Sequence, residues 1–238
     1  MPGTLLRGRL IQRYKRFLAD IVLEDGREIT AHCPNPGSMM GLKEAGTVVW
    51  VSPAANPKAK LGWRWDYARR GDGILAGINT NMPNKLVGEA LANGRIAELA
   101  AYTDARAEVR YRENSRVDFL LTGEGLPDCW LEVKNVHLMR TPGVVEFPDS
   151  VTARGAKHMA DLAAMRGEGA RAVVLFAVQM TGAERMALAA DLDPGYARAF
   201  AGARAAGVEA LAYACRIDDP DAPEAEVVLE RRIPLEEG

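Results

Sequence analysis

Cysteine is scarce in this sequence. Cys33, Cys129 and Cys215 lie far apart, with no Cys-x-x-Cys pair. An odd, dispersed set builds neither a disulfide framework nor a structural zinc site, which needs about four clustered Cys or His ligands. The reducing cytoplasm is therefore the expected compartment. Long apolar runs are missing as well. The longest, Ala172 to Val178, has seven residues, against the roughly 20 that cross a bilayer. Met1-Pro2-Gly3-Thr4-Leu5-Leu6-Arg7 offers no apolar leader core and no small-residue cleavage site. Neither secretion nor membrane insertion is expected. Nor does one sign of charge dominate, since the net is −2.

What is present is an ordinary globular composition. The chain has 238 residues, 48% hydrophobic and 26% charged, enough for one large domain or two modest ones. Its charge is unevenly spread. Residues 1–70 carry 12 Lys+Arg against 6 Asp+Glu, a net of +6, and the remainder has a net of −8. Such a split points to an anionic partner for the first third, or to bases scattered over a solvated surface. Arg7, Arg9, Arg13, Lys15 and Arg16 have Tyr14 and Phe17 interleaved. Cations for phosphate beside rings for bases is a pattern that holds unstacked nucleic acid.

The first 80 residues read as short strands: Arg9–Tyr14, Phe17–Leu23, Glu28–His32 after an Asp25-Gly26 turn, and Thr47–Val51. Turn-separated strands of this kind suit a small barrel or sandwich. Residues 53–73 read as an irregular loop. From Lys85 to Tyr102 a helical stripe appears, followed by strands at Glu108–Arg112, Val117–Leu121 and Cys129–Val136. A helix over Ser150–Met165, capped by Asp149 or Ser150, precedes a strand at Arg171–Val178, a helix at Pro194–Ala206 and a strand at Glu209–Ile217. The acidic stretch Asp218–Glu226 reads as a linker or tail. This order is a mixed α/β layout, and the expected division is 1–80 and 81–238.

The chemistry concentrates in the hairpin Ser115–Leu121 and Trp130–Val136. A turn centred on Gly125 makes facing residues sum to 250, which sets Asp118 opposite Glu132 and Arg116 opposite Lys134, with Cβ atoms about 4.5–5.5 Å apart. Asp118, Glu132 and Lys134 then share one face, and Val117, Phe119, Leu121, Cys129, Leu131 and Val133 the other. A one-residue slip would bury the charges. Two carboxylates at chelating distance suit a hard cation such as Mg²⁺ or Mn²⁺, which polarises phosphoryl oxygens and generates hydroxide. The adjacent lysine orients that water or stabilises charge on phosphorus. A solvated Lys–carboxylate cluster is the plainer alternative.

At these residues the sequence resembles the sugar fermentation stimulation protein A family. The resemblance runs through Leu10–Asp20, His32–Met39, Ser115–Phe119, Glu132–Val136 and Phe147–His158, nearly the whole chain. It implies an OB-fold-like barrel over residues 1–80 joined to a PD-(D/E)xK nuclease-like α/β domain over residues 81–238. It further implies DNA binding without marked sequence preference and a regulatory link to sugar catabolism. The nuclease-like motif carries over as Asp118, Glu132 and Lys134, with Val117 where the motif's name has proline. Nucleases of this kind often add a glutamate from the first helix, and Glu89 is the candidate third metal ligand, a solvated surface glutamate being the alternative. For nucleic acid the candidates are Arg13, Lys15, Arg16, Asn35, Ser38, Arg154 and Lys157. Asn35 and Ser38 equally suit turn stabilisation, and Arg154 and Lys157 equally suit a solvated helix face.

The expected function is therefore cytoplasmic, sequence-nonspecific DNA binding with Mg²⁺- or Mn²⁺-dependent phosphodiester hydrolysis. Two rivals stand beside it: a catalytically idle DNA-binding regulator, and a carbohydrate-binding module, since OB folds also hold oligosaccharides.

Overall fold

The structure, a computed structural model, describes residues 5–56, 58–112 and 115–236. The start of the chain, read above for a leader, lies partly outside these residues, as does Pro57 of the 53–73 stretch.

Alternation builds the first layer. β1 (Leu6–Tyr14), β2 (Leu18–Leu23), β3 (Glu28–His32), β4 (Val48–Pro53) and β5 (Trp63–Arg69) close into a five-stranded barrel. In β2 every second residue, Ala19, Ile21 and Leu23, faces the interior. Closure comes from the parallel pairs Ala31↔Trp63 and His32↔Arg64 between β3 and β5. β6 (Leu75–Gly77) pairs with the outer side of β5 and leads out of the barrel. β5 corrects the loop expected over 53–73. Its charged residues hid the alternation, because Arg64 and Asp66 neutralise each other within the strand at 2.7 Å.

The second unit is a six-stranded sheet in the order β15-β14-β12-β9-β8-β7. Its strands are β7 (Asp104–Arg112), β8 (Ser115–Thr122), β9 (Cys129–Val136), β12 (Arg171–Val178), β14 (Glu209–Ile217) and β15 (Val227–Arg232). β9, β12 and β14 run parallel. β12 is buried on both faces, as its unbroken apolar run requires. Val173, Leu175 and Ala177 pack under α1 (Met82–Ala92), while Val174 and Phe176 pack under α2 (Ala153–Gly167) and α3 (Pro194–Ala205). A separate four-stranded sheet, β10 (Leu138–Thr141), β11 (Val144–Phe147), β13 (Arg185–Leu188) and β16 (Leu235–Glu236), has no counterpart in the sequence pattern. Its strands are too short to show a period.

Three further expectations change. The helix expected from Lys85 to Tyr102 stops at Ala92, because Gly94 (φ +64°) turns the chain out into a 3₁₀ turn at Ala97–Leu99. α2 is capped by Thr152, whose side chain accepts the Gly155 N–H, rather than by Asp149 or Ser150. Asp149 is engaged elsewhere. The acidic stretch 218–226 is no tail either, since it joins β14 to β15 and docks on the barrel. Trp50 Nε1 donates to Asp221 at 2.6 Å, and Arg69 and Arg7 pair with Asp219 and Asp221 at 3.2 and 3.5 Å. Some of the charge split is thus satisfied within the chain.

A polar joint binds the barrel to the second unit. Asn35 Nδ2 lies 3.2 Å from His137 Nε2, and that nitrogen lies 3.3 Å from Asp149 Oδ2. Asp149 also accepts from Ser38 Oγ (3.3 Å) and the Met39 N–H (3.2 Å). Burial pushes the Asp149 carboxyl up, but the bonds from His137 and Met39 outweigh it and hold the group well below its ordinary range. A depressed native pKa adds stability above the unfolded value and loses it as pH falls through the native one.

Two outcomes follow. Asp149→Asn should lower stability at pH 7 by about 1–3 kcal/mol, and the gap from wild type should narrow as urea melts are taken to increasingly acid pH. A gap constant from neutral to acid pH would deny Asp149 its charged role. The β1–β2 packing gives a second outcome. A Cβ at Gly8 would sit 2.6 Å from the Val22 carbonyl oxygen, whereas Gly62 has open space around it. Gly8→Ala should cost about 1–3 kcal/mol, as overpacking does, with Gly62→Ala near neutral in the same melts.

Candidate active site

β8 and β9 pair as Leu121↔Cys129, Leu120↔Trp130 and Phe119↔Leu131, and the ladder ends there. This is the register whose facing residues sum to 250. One step further the strands separate. Asp118 Oδ2 accepts the Val133 N–H at 2.7 Å, and its Oδ1 accepts Asn84 Nδ2, also at 2.7 Å. A side chain thus takes a bond that a neighbouring strand would have made, and the fork opens into a cleft of about 630 Å³. Val133 lines the cleft although its side chain belongs to the α1 core, so its backbone forms the wall. A residue's N–H and C=O point the same way in a strand, which turns the Val133 carbonyl toward the fork with its N–H.

Glu132 stands across the fork from Asp118 at 3% exposure. Its Oε1 accepts from Lys134 Nζ at 2.7 Å and meets His158 Nδ1 in a short contact. Arg154 Nε donates to His158 Nε2 at 3.2 Å, which leaves Nδ1 as the protonated nitrogen facing Glu132. Burial pushes Glu132 up, but His158 and Lys134 outweigh it and hold the carboxyl below its usual range. Asp118 goes the other way. Burial, then the Glu132 charge, raise it against the bonds from Val133 and Asn84. Two carboxylates pushed apart within one cleft fit a functional site.

The cleft's outer wall is cationic. Arg110 and Arg116 are directly opposed across β7 and β8, both exposed and both facing the cleft. Like charges in facing positions are destabilising, and among the described residues neither has an ion-pair partner. Arg154 lines the same space. An anion would relieve the opposition.

The sequence-predicted residues divide. Asp118, Glu132, Lys134 and Arg154 converge in the cleft. Glu89 does not: its side chain is 53% exposed and pairs with Lys85 at 3.8 Å, and Asn84 is the α1 residue that reaches Asp118. Asn35 is buried at 1% exposure and its Oδ1 holds the Gly37 N–H; it belongs with Ser38 to the polar joint, and both line a groove beside the cleft. Arg13 donates to the Arg16, Asn35 and Gly37 carbonyls. Lys157 pairs with Asp161 at 2.8 Å. Lys15 and Arg16 remain exposed, at the left-handed tip (φ 48° and 64°) of the β1–β2 hairpin. The sequence reading assigned no role to His158, Arg110 or Asn84. His158 was detectable one helical turn after Arg154, whereas the Arg110–Arg116 opposition needed the β7–β8 register. Cysteine chemistry stays excluded from the cleft, since all three thiols are buried and burial pushes Cys129 and Cys215 up to about 12. No described helix is long and apolar enough to cross a membrane.

Comparison with known proteins agrees with this architecture. Residues 11–78 match the SfsA N-terminal OB domain, and residues 81–221 match the sugar fermentation stimulation protein RE domain. A sugar fermentation stimulation protein homologue of Dinoroseobacter shibae is 59% identical over 90% of this chain and 88% of its own. One from Caulobacter vibrioides is 53% identical over 91% and 90%. A solved structure, Pyrococcus furiosus SfsA in complex with Ca²⁺, superposes with a TM-score of 0.87 at 22% identity, covering 99% of this chain and 98% of that one. With the barrel, the sheet and these relatives in agreement, the chain belongs to the sugar fermentation stimulation protein (SfsA) family.

Proposed function

We propose that this protein binds DNA without sequence preference and hydrolyses its phosphodiester bonds with Mg²⁺ or Mn²⁺ in the Asp118–Glu132–Lys134 cleft. The observation that carries the reading is the open fork, where two carboxylates and a lysine face one space walled by arginines with no ion-pair partner among the described residues. The fork offers two carboxylates, Asp118 and Glu132. That fits Mg²⁺, which takes one or two carboxylates and fills its shell with water and substrate phosphate. Asp118 and Glu132 would hold the ion, with the Val133 carbonyl as a further oxygen. The Pyrococcus furiosus relative is described with Ca²⁺, another hard, oxygen-seeking cation. The three buried thiols fit a cytoplasmic setting.

When bound, such a cation polarises the phosphoryl oxygen and lowers the pKa of attacking water. The chain's own groups do the rest. Arg110, Arg116 and Arg154 receive the phosphodiester. His158 fixes the Glu132 carboxylate, itself oriented by Arg154. Lys134 Nζ, held at the cleft floor, donates to the water or to an equatorial oxygen as negative charge grows there, which lowers the barrier without tightening the ground state. Water oxygen bonds to phosphorus as the ester oxygen leaves and takes up a proton.

Mn²⁺ should raise the melting temperature of wild type, adding about 2.7 kcal/mol at a hundredfold excess over Kd, and Asp118→Asn should lose most of that rise. Equal shifts would place the metal elsewhere. Glu132→Gln and Lys134→Ala, purified alongside wild type, should abolish metal-dependent nicking while keeping DNA affinity within about tenfold. Nicking that persists equally in both variants would defeat the hydrolytic reading. DNA binding with no nicking in wild type would favour the idle regulator.

A further inference from the structure

The barrel carries a surface that the cleft chemistry does not use. Phe17 is 46% exposed, and its ring lies parallel to the exposed His32 ring, 6.3 Å away at 17°. Both sit on the β2–β3 side of the barrel, where Leu18 pairs with His32. On one side His32 borders a hollow of about 310 Å³ shared with Trp63, Lys60 and Arg64. On the other, Phe17 follows Arg16, which lines a groove of about 720 Å³ with Lys43. Arg16 and Lys43 have no side-chain partner among the described residues. That groove shares Thr80, Phe147 and Thr152 with the Asp118 cleft, so the two adjoin. Tyr14, by contrast, is tied to Asp20 at 3.3 Å.

We propose that this track binds single-stranded DNA, with bases stacking on the Phe17–His32 pair and the backbone running past Arg16 and Lys43 into the Asp118 cleft. This rests on the DNA reading above and names its substrate class. Cations alone would serve either form of DNA, since both present phosphates. The aromatic pair does not. In a duplex each base face is covered by its neighbours, and an exposed ring on the protein finds no face to meet. Unpaired bases offer theirs, and stacking on aromatic side chains is how strands are held without sequence preference. A small closed barrel with aromatics on the β2–β3 face suits a strand of a few nucleotides.

The test separates this step from the cleavage reading because it uses no metal. With the full chain in EDTA, fluorescence anisotropy would give Kd for a labelled oligonucleotide of about 15 nucleotides, alone and annealed to its complement. Wild type should prefer the single strand by about tenfold, and Phe17→Ala should weaken single-strand binding by about tenfold, the loss of one stacked base. Duplex affinity should stay within about twofold. Phe17→Tyr, which keeps the ring, should restore the single-strand value. Far-UV circular dichroism of Phe17→Ala confirms that it folds, and Phe17→Lys, which exchanges the ring for a cation, should fail to restore the preference. Equal affinity for both forms, a duplex preference, or a Phe17→Ala that changes neither or both equally would overturn the proposal. If metal-dependent nicking survives such a result, only the single-strand proposal falls. If wild type binds neither form, the DNA reading falls with it.

Discussion

The cleft exists because β8 and β9 diverge immediately beyond the Phe119↔Leu131 pair. A strand left unpaired at that depth would strand its backbone groups, which is costly when water is excluded. Asp118 resolves this by accepting the Val133 N–H itself. The carboxylate therefore holds the fork open and furnishes its floor at once. Opening the fork exposes the Val133 backbone to the cleft, while the far edge of β8 stays paired with β7 along its length, which keeps Arg116 opposite Arg110 on the cleft wall. The cleft floor thus descends from that one substitution of side chain for strand, and the arginine wall from the β7–β8 ladder beside it.

A second constraint is charge at depth. A carboxylate as buried as Glu132 is tolerated only when it is paired and hydrogen-bonded, and the chain answers with Lys134 on the same strand and His158 from α2. Because Lys134 is two residues along, it shares Glu132's face wherever β9 goes. His158 is different, since its position depends on α2 packing across β12. The site is thus assembled jointly by strand geometry and by the helix layer above it. This explains why the strand trio was legible in the sequence, whereas the helical spacing put His158 beside Arg154 without showing that it meets Glu132. The same holds for the fold at large. Period-two runs bounded by turns, such as Glu28–His32, and the apolar block Arg171–Val178 stand where the pattern placed them. β5 was hidden because its charges are paired with each other, and β10, β11, β13 and β16 because strands of two to four residues carry no period.

Charge was the least legible property, for a physical reason. A count of bases cannot tell a cation that meets a ligand from one that meets the protein. Arg7 and Arg69 answer the acidic 218–226 loop around Trp50, which also lies under both guanidinium groups at 5.8 and 4.9 Å. Arg9 donates to the Gly46 carbonyl, and Arg13 braces the turn at Arg16 against the Asn35–Gly37 loop. Subtracting these, together with Arg27, Arg64 and Arg70, which pair with Asp25, Asp66 and Asp72, leaves Lys15, Arg16, Lys43, Lys58 and Lys60 on the barrel, beside Arg110, Arg116 and Arg154 at the cleft. Five of these, Arg16, Lys43, Arg110, Arg116 and Arg154, are better placed for an anion than the total suggested, because they flank two adjoining depressions rather than covering a face.

That adjoining geometry depends on the barrel holding its position. The Asn35–His137–Asp149 joint fixes the barrel loop of the groove against the segment between Phe147 and Thr152, two residues that line both depressions, and a Cβ on Gly37 would collide with the Asp149 carboxylate, so the loop lies as close as backbone allows. One apolar cluster, moreover, runs from Leu10 and Ile21 inside the barrel to Phe176 and Phe200 under the helices. Two units with separate cores and a polar interface would be expected to move against each other. Here the shared core and the buried polar joint oppose that motion. A strand laid along the barrel would therefore meet a cleft already aligned with it, and the ordering entropy of bringing two surfaces into register is met in folding rather than at each binding event.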